Sequence, residues 1–216
     1  MHTPGSFVTL TRTGYMEFIV PYNVMVAIKN DVDRIFESNF TLTKKHNYDL
    51  AGAIEKEYQL KDSFSEIESF VSVAATEYFS ELGSSKKNLK YKLGRADDGT
   101  VDLWVNFQKR FEYNPLHKHG GVLSFVIWYQ IPYDIEEERK IPIHQNPNEC
   151  SAAAFTFVFP DHQTVGGISE LKIIVDKSKE GHMIIFPASL RHSVNPFYTS
   201  DEYRISISGN LVSTVD

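Results

Sequence analysis

The sequence is poor in cysteine, because Cys150 is the only one among its 216 residues. One thiol cannot form an internal disulfide, and chains that do without disulfides are typical of reducing compartments. The N-terminal stretch MHTPGSFVTL also lacks the basic segment followed by an apolar one that marks a secretory signal peptide. We therefore expect a cytoplasmic protein.

Long apolar runs and clustered positive charge are missing as well. No apolar run approaches the roughly 20 residues that a membrane-spanning helix requires. The net charge is −6, and the 22 lysines and arginines are not collected into a basic stripe. Nucleic-acid binding depends on such a stripe, so neither a membrane nor a nucleic acid is an expected partner.

Aromatic residues, in contrast, are abundant, with 15 Phe and 11 Tyr. Aromatic side chains are enriched in β-strands, and a chain of this length can bury one sizeable core. We expect a single domain over residues 1–216. It would combine a helical part over about residues 1–100 with a β-rich core over about residues 101–216.

The prediction of a helical part depends on two stretches of the sequence. Residues 22–36 carry apolar side chains at mixed spacing, and residues 63–82 carry them at three-and-four spacing. Ser63 and Glu66 stand at the spacing of a capping box, which predicts the start of the second helix, and Gly83 marks its end. The polar segment 83–100 then predicts a separator between helices and strands.

From Val101 onward, side chains alternate with a period of two residues, as in β-strands. In LWVNFQKRFEYN one face carries Trp104, Asn106 and Gln108, and strand-like runs follow in the order LSFVIWYQI, AAFTFVFP, ELKIIVD, HMIIFP and YRISISGNLV. Helices first and strands afterwards favour a mainly β (α+β) fold, a β-sandwich or barrel with N-terminal buttressing helices, over a parallel α/β fold. Several short antiparallel strands suit a jelly roll.

Between the second and third of these runs lies a polar, acidic segment over about residues 133–151. A loop of roughly 20 residues inside a compact domain is unusual, and such loops often serve as lids or binding loops. A solvated insertion is the alternative.

Two histidines stand one residue apart in NPLHKHGGVLSFVIWYQIP. In an extended strand, residues i and i+2 point to the same face, so His117 and His119 can present two imidazoles to one metal ion. The spacing alone does not decide between metal ligands and polar residues at the lip of a sheet.

A third histidine and an arginine follow near the C-terminus. His192 comes after a glycine turn, an apolar strand and a proline in GHMIIFPASLRHSV. In the next run, alternation places a polar set on one face: Arg204, Ser206, Ser208 and Asn210. That face either meets solvent or lines a pocket, and an arginine with a nearby hydroxyl is a good receptor for a ligand carboxylate.

In their order along the chain, the segments NPLHKHGGVLSFVIWYQIP, EGHMIIFPASLRHSV and YRISISGN resemble the Fe(II)/2-oxoglutarate-dependent oxygenases. Within that superfamily they are most similar to a little-characterised bacterial and phage branch. The resemblance covers about residues 104–211, which is half of the chain.

The resemblance implies a double-stranded β-helix of jelly-roll type, Fe(II) as cofactor, 2-oxoglutarate as cosubstrate and hydroxylation as the reaction. His117 is similar to the proximal histidine of the family and His192 to its distal one. Arg204 and Ser206 match the residues that hold the distal carboxylate of 2-oxoglutarate. Asn106 would line the same pocket, with a solvent-facing strand as the alternative.

The sequence departs from the family at one position. Most members have a carboxylate two residues after the first histidine, whereas this chain has His119. The expected metal ligands and catalytic residues are therefore His117, His119 and His192, a set with one negative charge fewer than usual. Imidazole suits iron, although the missing charge could lower affinity or alter reactivity. Glu112, five residues before the first histidine, is poorly placed to replace it.

Two other kinds of protein stay open on the sequence. A cupin is also a jelly roll with H-x-H and a later histidine, but the usual Glu after H-x-H and the P-x-G before the later histidine are missing here. In a metal-free binding or structural jelly roll, His117 and His119 would be rim residues. The substrate, a small molecule or a peptide, and the oligomeric state are not indicated by any motif.

Overall fold

The structure is a computed structural model that describes residues 13–41, 51–83, 89–95, 101–145, 151–161 and 166–215. Cys150, on which the expectation of a reducing compartment depends, lies outside the described residues. Within these ranges, no helix is long and apolar enough to cross a lipid bilayer.

The larger of two antiparallel sheets contains seven strands. Six of them lie in the spatial order β1 (Met16–Ile19), β9 (His182–Pro187), β6 (Leu123–Gln130), β11 (Arg204–Val215), β4 (Leu103–Gln108) and β2 (Lys56–Gln59). The seventh, β3 (Leu89–Leu93), pairs with the C-terminal part of β11. Because β11 also pairs with β4 and β6, it is the central strand of this sheet.

The smaller sheet contains four strands, also antiparallel. Their order is β5 (Asn114–His117), β10 (Arg191–Val194), β7 (Phe155–Pro160) and β8 (Ile168–Ile173). All six strand-like runs read from the sequence after Val101 form strands. The mainly β, antiparallel architecture is therefore confirmed.

Two hydrophobic cores cover the two faces of the larger sheet. On one face, α1 (Tyr22–Glu37) and α2 (Phe64–Glu81) pack against Val105, Phe107, Ile205 and Ile207. On the other face, residues of the larger sheet and of the smaller sheet form a second core, which includes Val126, Phe186, Phe155 and Phe157. The predicted buttressing helices are thus present, and the two sheets lie face to face.

The segment 83–100 was predicted to separate helices from strands, and that prediction is wrong. Its described part contains β3, in which Lys90 and Lys92 are exposed while Tyr91 and Leu93 are buried. Two lysines in five residues make the segment look like a polar linker, although its alternation is that of an edge strand with one buried face. Together with β1 and β2, it adds strands to the part of the chain that was expected to be helical.

The predicted capping box at the start of α2 is also wrong. The hydroxyl of Ser63 donates to the carboxylate of Asp31 in α1 at 3.0 Å, and no side chain caps the helix from within. The same carboxylate oxygen accepts the backbone N–H groups of Asp62 and Ser63, each at 3.1 Å. A buried carboxylate of one helix therefore satisfies the start of the other, a contact that local spacing does not reveal.

The acidic segment 133–151 is not an irregular loop in its described part. It contains the short helices α3 (Ile135–Lys140) and α4 (Pro142–Gln145). Glu138 of α3 is fully buried, and its carboxylate accepts hydrogen bonds from the backbone of Tyr198 and Thr199. These bonds tie α3 to the chain ahead of β11; movement of the segment as a lid stays a prediction.

We predict that Asp31→Ala lowers the free energy of unfolding by about 2–4 kcal/mol, because it leaves the buried N–H and hydroxyl of Ser63 and the part-buried N–H of Asp62 without their acceptor. Asp33→Ala is the matched control: Asp33 is exposed on the same helix and pairs with Lys29, so its loss should cost less than about 1 kcal/mol. Urea denaturation followed by circular dichroism measures both values. Equal losses in the two variants would contradict this account of the helix contact.

Candidate metal centre

Three histidines converge at one end of the smaller sheet. His117 is the last residue of β5, and His192 of β10 is its direct cross-strand neighbour. His119 follows β5, and its backbone N–H donates to the carbonyl of Ala188 at 2.9 Å. One nitrogen of each ring lies within 4.8 Å of those of the other two. The structure thus brings together the three predicted ligands, although His119 lies beyond the strand rather than in it.

Hydrogen bonds to backbone carbonyls orient two of the three rings. The Nδ1 atom of His117 lies 2.6 Å from the carbonyl oxygen of Pro115, and that of His192 lies 2.9 Å from the carbonyl of Leu190. A carbonyl can only accept, so each Nδ1 carries the proton and each Nε2 keeps a lone pair for a metal. Such bonds fix the tautomer and the orientation of a ligating histidine.

Burial keeps the three rings neutral. It lowers the pKa of His192 to about 3, with a further lowering by the nearby His117 ring. Burial also lowers the pKa of His119 to about 4, again with a contribution from His117, while the charge of Asp102 acts in the opposite direction. The pKa of His117 is lowered by burial as well. Neutral imidazoles are the form that binds a metal ion, so the set is ready to bind one at neutral pH.

Aromatic side chains surround the centre. Phe155 stacks on His192 with ring planes 9° apart and centroids 5.2 Å apart, and Phe186 lies 4.9 Å from the same ring. Trp104 lies 5.7 Å from His119. This apolar shell lowers the local dielectric and limits solvent access, which is the cause of the low pKa values.

Within the described part of the chain, the donor set at this centre contains only imidazoles. The carboxylate of Glu112 accepts the backbone N–H groups of Glu55 at 3.0 Å and of Lys109 at 2.7 Å, which agrees with its predicted poor placement. Three convergent neutral imidazoles, two of them with Nε2 free, fit a divalent transition-metal ion, and iron(II) is among those that imidazole suits.

A cavity between the two sheets joins the histidines to the polar face of β4 and β11. Its wall is built from cross-strand pairs: Arg204 with Gln108, Ser206 with Asn106, and Ser208 with Trp104. The predicted common faces of these residues are confirmed, and the faces line a cavity rather than meet solvent.

Asn106 is the hub of hydrogen bonding on this wall. Its amide oxygen accepts from the Trp104 indole at 3.1 Å, and its amide nitrogen donates to the hydroxyl oxygens of Ser206 at 3.2 Å and Ser208 at 3.3 Å. Since both hydroxyls accept from Asn106, each keeps its own proton for another acceptor. The wall can therefore donate to an anionic ligand.

Arg204 lines the same cavity from the larger sheet, whereas His117 and His192 line it from the smaller one, and Arg204 is 3% exposed. Its guanidinium donates to the side chains of Gln108 and Tyr133 and to the carbonyls of Ala153 and Asn195. The predicted carboxylate receptor is thus buried at the cavity and already hydrogen-bonded.

The N-terminal part of the chain also lines the cavity, which sequence reasoning missed. Gly52 and the buried Glu57 lie there, next to Asn114 of β5. A Cβ atom on Gly52 would collide with the Oδ1 atom of Asn114 and lie close to Oε1 of Glu57, so a larger residue would require the Asn114 side chain to shift. No motif in the sequence marks these positions, because they meet the site only through tertiary packing.

Residues 102–210 match the sequence model of a family described as "Putative 2OG-Fe(II) oxygenase", where 2OG stands for 2-oxoglutarate. The match spans half of the chain and contains all six predicted site residues. A search of curated proteins gives no match.

Among solved structures, the chain is similar to a prolyl-4-hydroxylase from Pseudomonas putida, with a TM-score of 0.51 and 9% identity over 91% of each chain. It is also similar to an oxidoreductase of the 2OG-Fe(II) oxygenase family from Burkholderia pseudomallei, with a TM-score of 0.44 and 13% identity over 74% of this chain and 62% of that one. At such low identity the first likeness shows the fold alone, and it confirms the predicted jelly roll.

The low pKa of His192 predicts a pH dependence of stability in the metal-free protein. Its folded-state pKa of about 3 lies below the ordinary value of 6.5, so the unfolded chain binds the proton more readily and stability falls as pH drops below 6.5. Replacement by glutamine removes this effect. The stability advantage of the wild type over His192→Gln should therefore shrink by about 2 kcal/mol between pH 7 and pH 5.

Urea denaturation of both proteins in the presence of a chelator, at pH 7 and at pH 5, measures this change. An advantage that is the same at the two pH values would show that His192 is not held neutral by burial.

Proposed function

The chain belongs to the 2OG-Fe(II) oxygenase family, and from this premise we propose that it is an Fe(II)- and 2-oxoglutarate-dependent dioxygenase that hydroxylates its substrate. The proposal rests on one observation. A convergent set of three neutral histidines and a buried arginine with hydroxyl neighbours face the same cavity from the two opposing sheets.

The metal would be held by His117, His119 and His192. When bound there, Fe(II) and 2-oxoglutarate supply the capacity to use O₂ for oxidation of a C–H bond, coupled to the conversion of 2-oxoglutarate to succinate and CO₂. His119 takes the position that a carboxylate holds in most relatives, so the protein contributes no negative charge to the ligand set.

The remaining residues of the cavity bind and orient. Arg204 would pair with the far carboxylate of 2-oxoglutarate, and the Ser206 hydroxyl, which accepts from Asn106, would donate its proton to the same group. The aromatic rings of Phe155 and Trp104 exclude water from the histidines. Each of these roles is positional, which is what a protein contributes when cofactors carry the chemistry.

For the substrate we propose a small molecule or a peptidyl group, with neither nucleic acid nor membrane as partner. The net charge of −6 without a basic stripe supports the exclusion of nucleic acid. The cavity walls from Gly52 and Glu57 are the described surfaces that an approaching substrate would meet besides the two sheets.

We predict that His117→Ala, His119→Ala and His192→Ala each weaken Fe(II) binding by at least about tenfold, because each removes one of three ligands. Lys118→Ala is the matched control, since Lys118 lies between two of the histidines and is exposed. Anaerobic Fe(II) titration followed by calorimetry gives the affinities. Wild-type affinity in His119→Ala would remove that residue from the ligand set while leaving the other two in place.

We predict Fe(II)-dependent conversion of 2-oxoglutarate to succinate, measured across candidate substrates. Arg204→Lys should raise the KM for 2-oxoglutarate by about tenfold or more, because an ammonium cannot form the bidentate pair of a guanidinium. Circular dichroism checks that the variant folds. Failure of 2-oxoglutarate to bind to the Fe(II)-loaded wild type would overturn the proposed function, and metal binding with no succinate from any substrate would indicate a non-catalytic metal-binding jelly roll.

A further inference from the structure

Arg204 carries a positive charge in a buried position. Among the described residues, every acceptor of its hydrogen bonds is a neutral oxygen, from an amide, a phenol or a backbone carbonyl. Burying a cation is costly unless a negative charge compensates for it. Among the described residues the guanidinium therefore has no anion as a direct hydrogen-bond partner, and an anion bound at Arg204 would supply one.

Gln108 occupies the side of the guanidinium that an anion would use. Its amide oxygen accepts from both Nε at 3.1 Å and Nη2 at 2.7 Å. These two neighbouring N–H groups form the fork that binds the two oxygens of a carboxylate side by side. Gln108 is the direct cross-strand neighbour of Arg204, which places its oxygen in this position.

The rest of the guanidinium is held independently of Gln108. Nη1 donates to the hydroxyl of Tyr133 and to the carbonyl of Ala153, both at 3.1 Å, and Nη2 donates to the carbonyl of Asn195 at 3.0 Å. The rings of Tyr133 and Phe197 lie 5.9 Å and 5.6 Å from its central carbon. Arg204 would therefore keep its orientation if Gln108 moved away.

We propose that Gln108 is a displaceable stand-in for the far carboxylate of 2-oxoglutarate, so that the cosubstrate binds Arg204 by displacing the amide of Gln108. This inference rests on the proposed function. It makes Gln108 a residue that sets cosubstrate affinity, while Arg204 remains the receptor.

Two physical arguments support the exchange. A carboxylate adds to the hydrogen bonds of the guanidinium a direct charge–charge attraction that an amide oxygen lacks, so the anion outcompetes the amide. The cavity has a volume of about 50 Å³, enough for a few water molecules. Gln108, the last residue of β4, is a wall side chain of this cavity, so its displacement would add room beside Arg204 for a five-carbon diacid.

The test measures ligand affinity rather than turnover. Calorimetry of the Fe(II)-loaded protein without oxygen compares 2-oxoglutarate with 2-oxopentanoate, which has the same 2-oxo acid group and chain length but a methyl group in place of the far carboxylate. In Gln108→Ala the fork is open, and 2-oxoglutarate should bind about tenfold more tightly if the amide occupies the fork about 90% of the time. In Gln108→Glu a carboxylate pairs with Arg204, and 2-oxoglutarate should bind at least about tenfold more weakly.

Two controls isolate the effect. Affinity for 2-oxopentanoate should be the same in both variants and in the wild type, because that ligand does not compete for Arg204. Gln130→Ala is the matched variant: its amide donates to the backbone carbonyl of Tyr203 and not to an acceptor or donor on the Arg204 side chain, so its loss should change neither affinity. Circular dichroism checks the fold of each variant, and Gln108→Glu, which keeps the size of the side chain, carries the test if Gln108→Ala does not fold.

The outcomes separate this inference from the proposed function. If the wild type binds 2-oxoglutarate but Gln108→Ala binds it equally or more weakly, or Gln108→Glu binds it as the wild type does, Gln108 positions Arg204 and the stand-in role is wrong. If none of the Fe(II)-loaded proteins binds 2-oxoglutarate, the proposed function itself is wrong, and this inference fails with it. Binding that appears only after Gln108→Ala supports both.

Discussion

The pairing of β11 with β4 and β6 is the constraint on which the rest of the structure depends. Because side chains of a strand alternate, this pairing sends Ile205 and Ile207 to the helices and Arg204 and Ser206 to the cavity. A register shift of one residue would bury the polar side chains against α1 and α2 and expose the apolar ones to the cavity. The hydrophobic core and the position of Arg204 at the cavity are therefore two consequences of one register, and the core stabilises that position.

Sequence patterns predicted those strands and helices in which the spacing of apolar residues repeats over enough positions to be recognised. The alternation in β4 and β11 extends over six residues or more, and it placed Asn106, Arg204 and Ser206 on the faces where the structure has them. The three histidines were found for another reason, since their order along the chain with R-x-S resembles a known family. Both the alternation within a strand and the order of the motifs are visible in the sequence without any tertiary contact.

The features that were missed are set by contacts between residues far apart in the chain. Strands such as β1, β2 and β5 have four residues each, too few for a period to stand out, and they are strands because neighbours supply hydrogen bonds. Ser63 has the spacing of a capping residue, yet its hydroxyl donates a hydrogen bond to the buried carboxylate of Asp31, 32 positions earlier. The hydrogen-bond partners of Arg204 come from four separate segments of the chain. That its guanidinium is already hydrogen-bonded could therefore be learned only from the fold.

Charge connects the two ends of the cavity. Three neutral imidazoles add no negative charge to a divalent cation, and Arg204 adds a positive one, so the metal-loaded site would carry one positive charge more than a site with a carboxylate ligand. That excess weakens the hold on the cation, while it strengthens the attraction for a ligand with two carboxylates, one at each end. Burial lowers the pKa of His119 even though the nearby carboxylate of Asp102 acts to raise it. The ring of His119 therefore stays neutral at neutral pH. Under the proposed function, His119 in place of the usual carboxylate would shift binding energy from the metal–protein bonds to the anionic cosubstrate, and the amide of Gln108 at Arg204 would oppose part of that attraction.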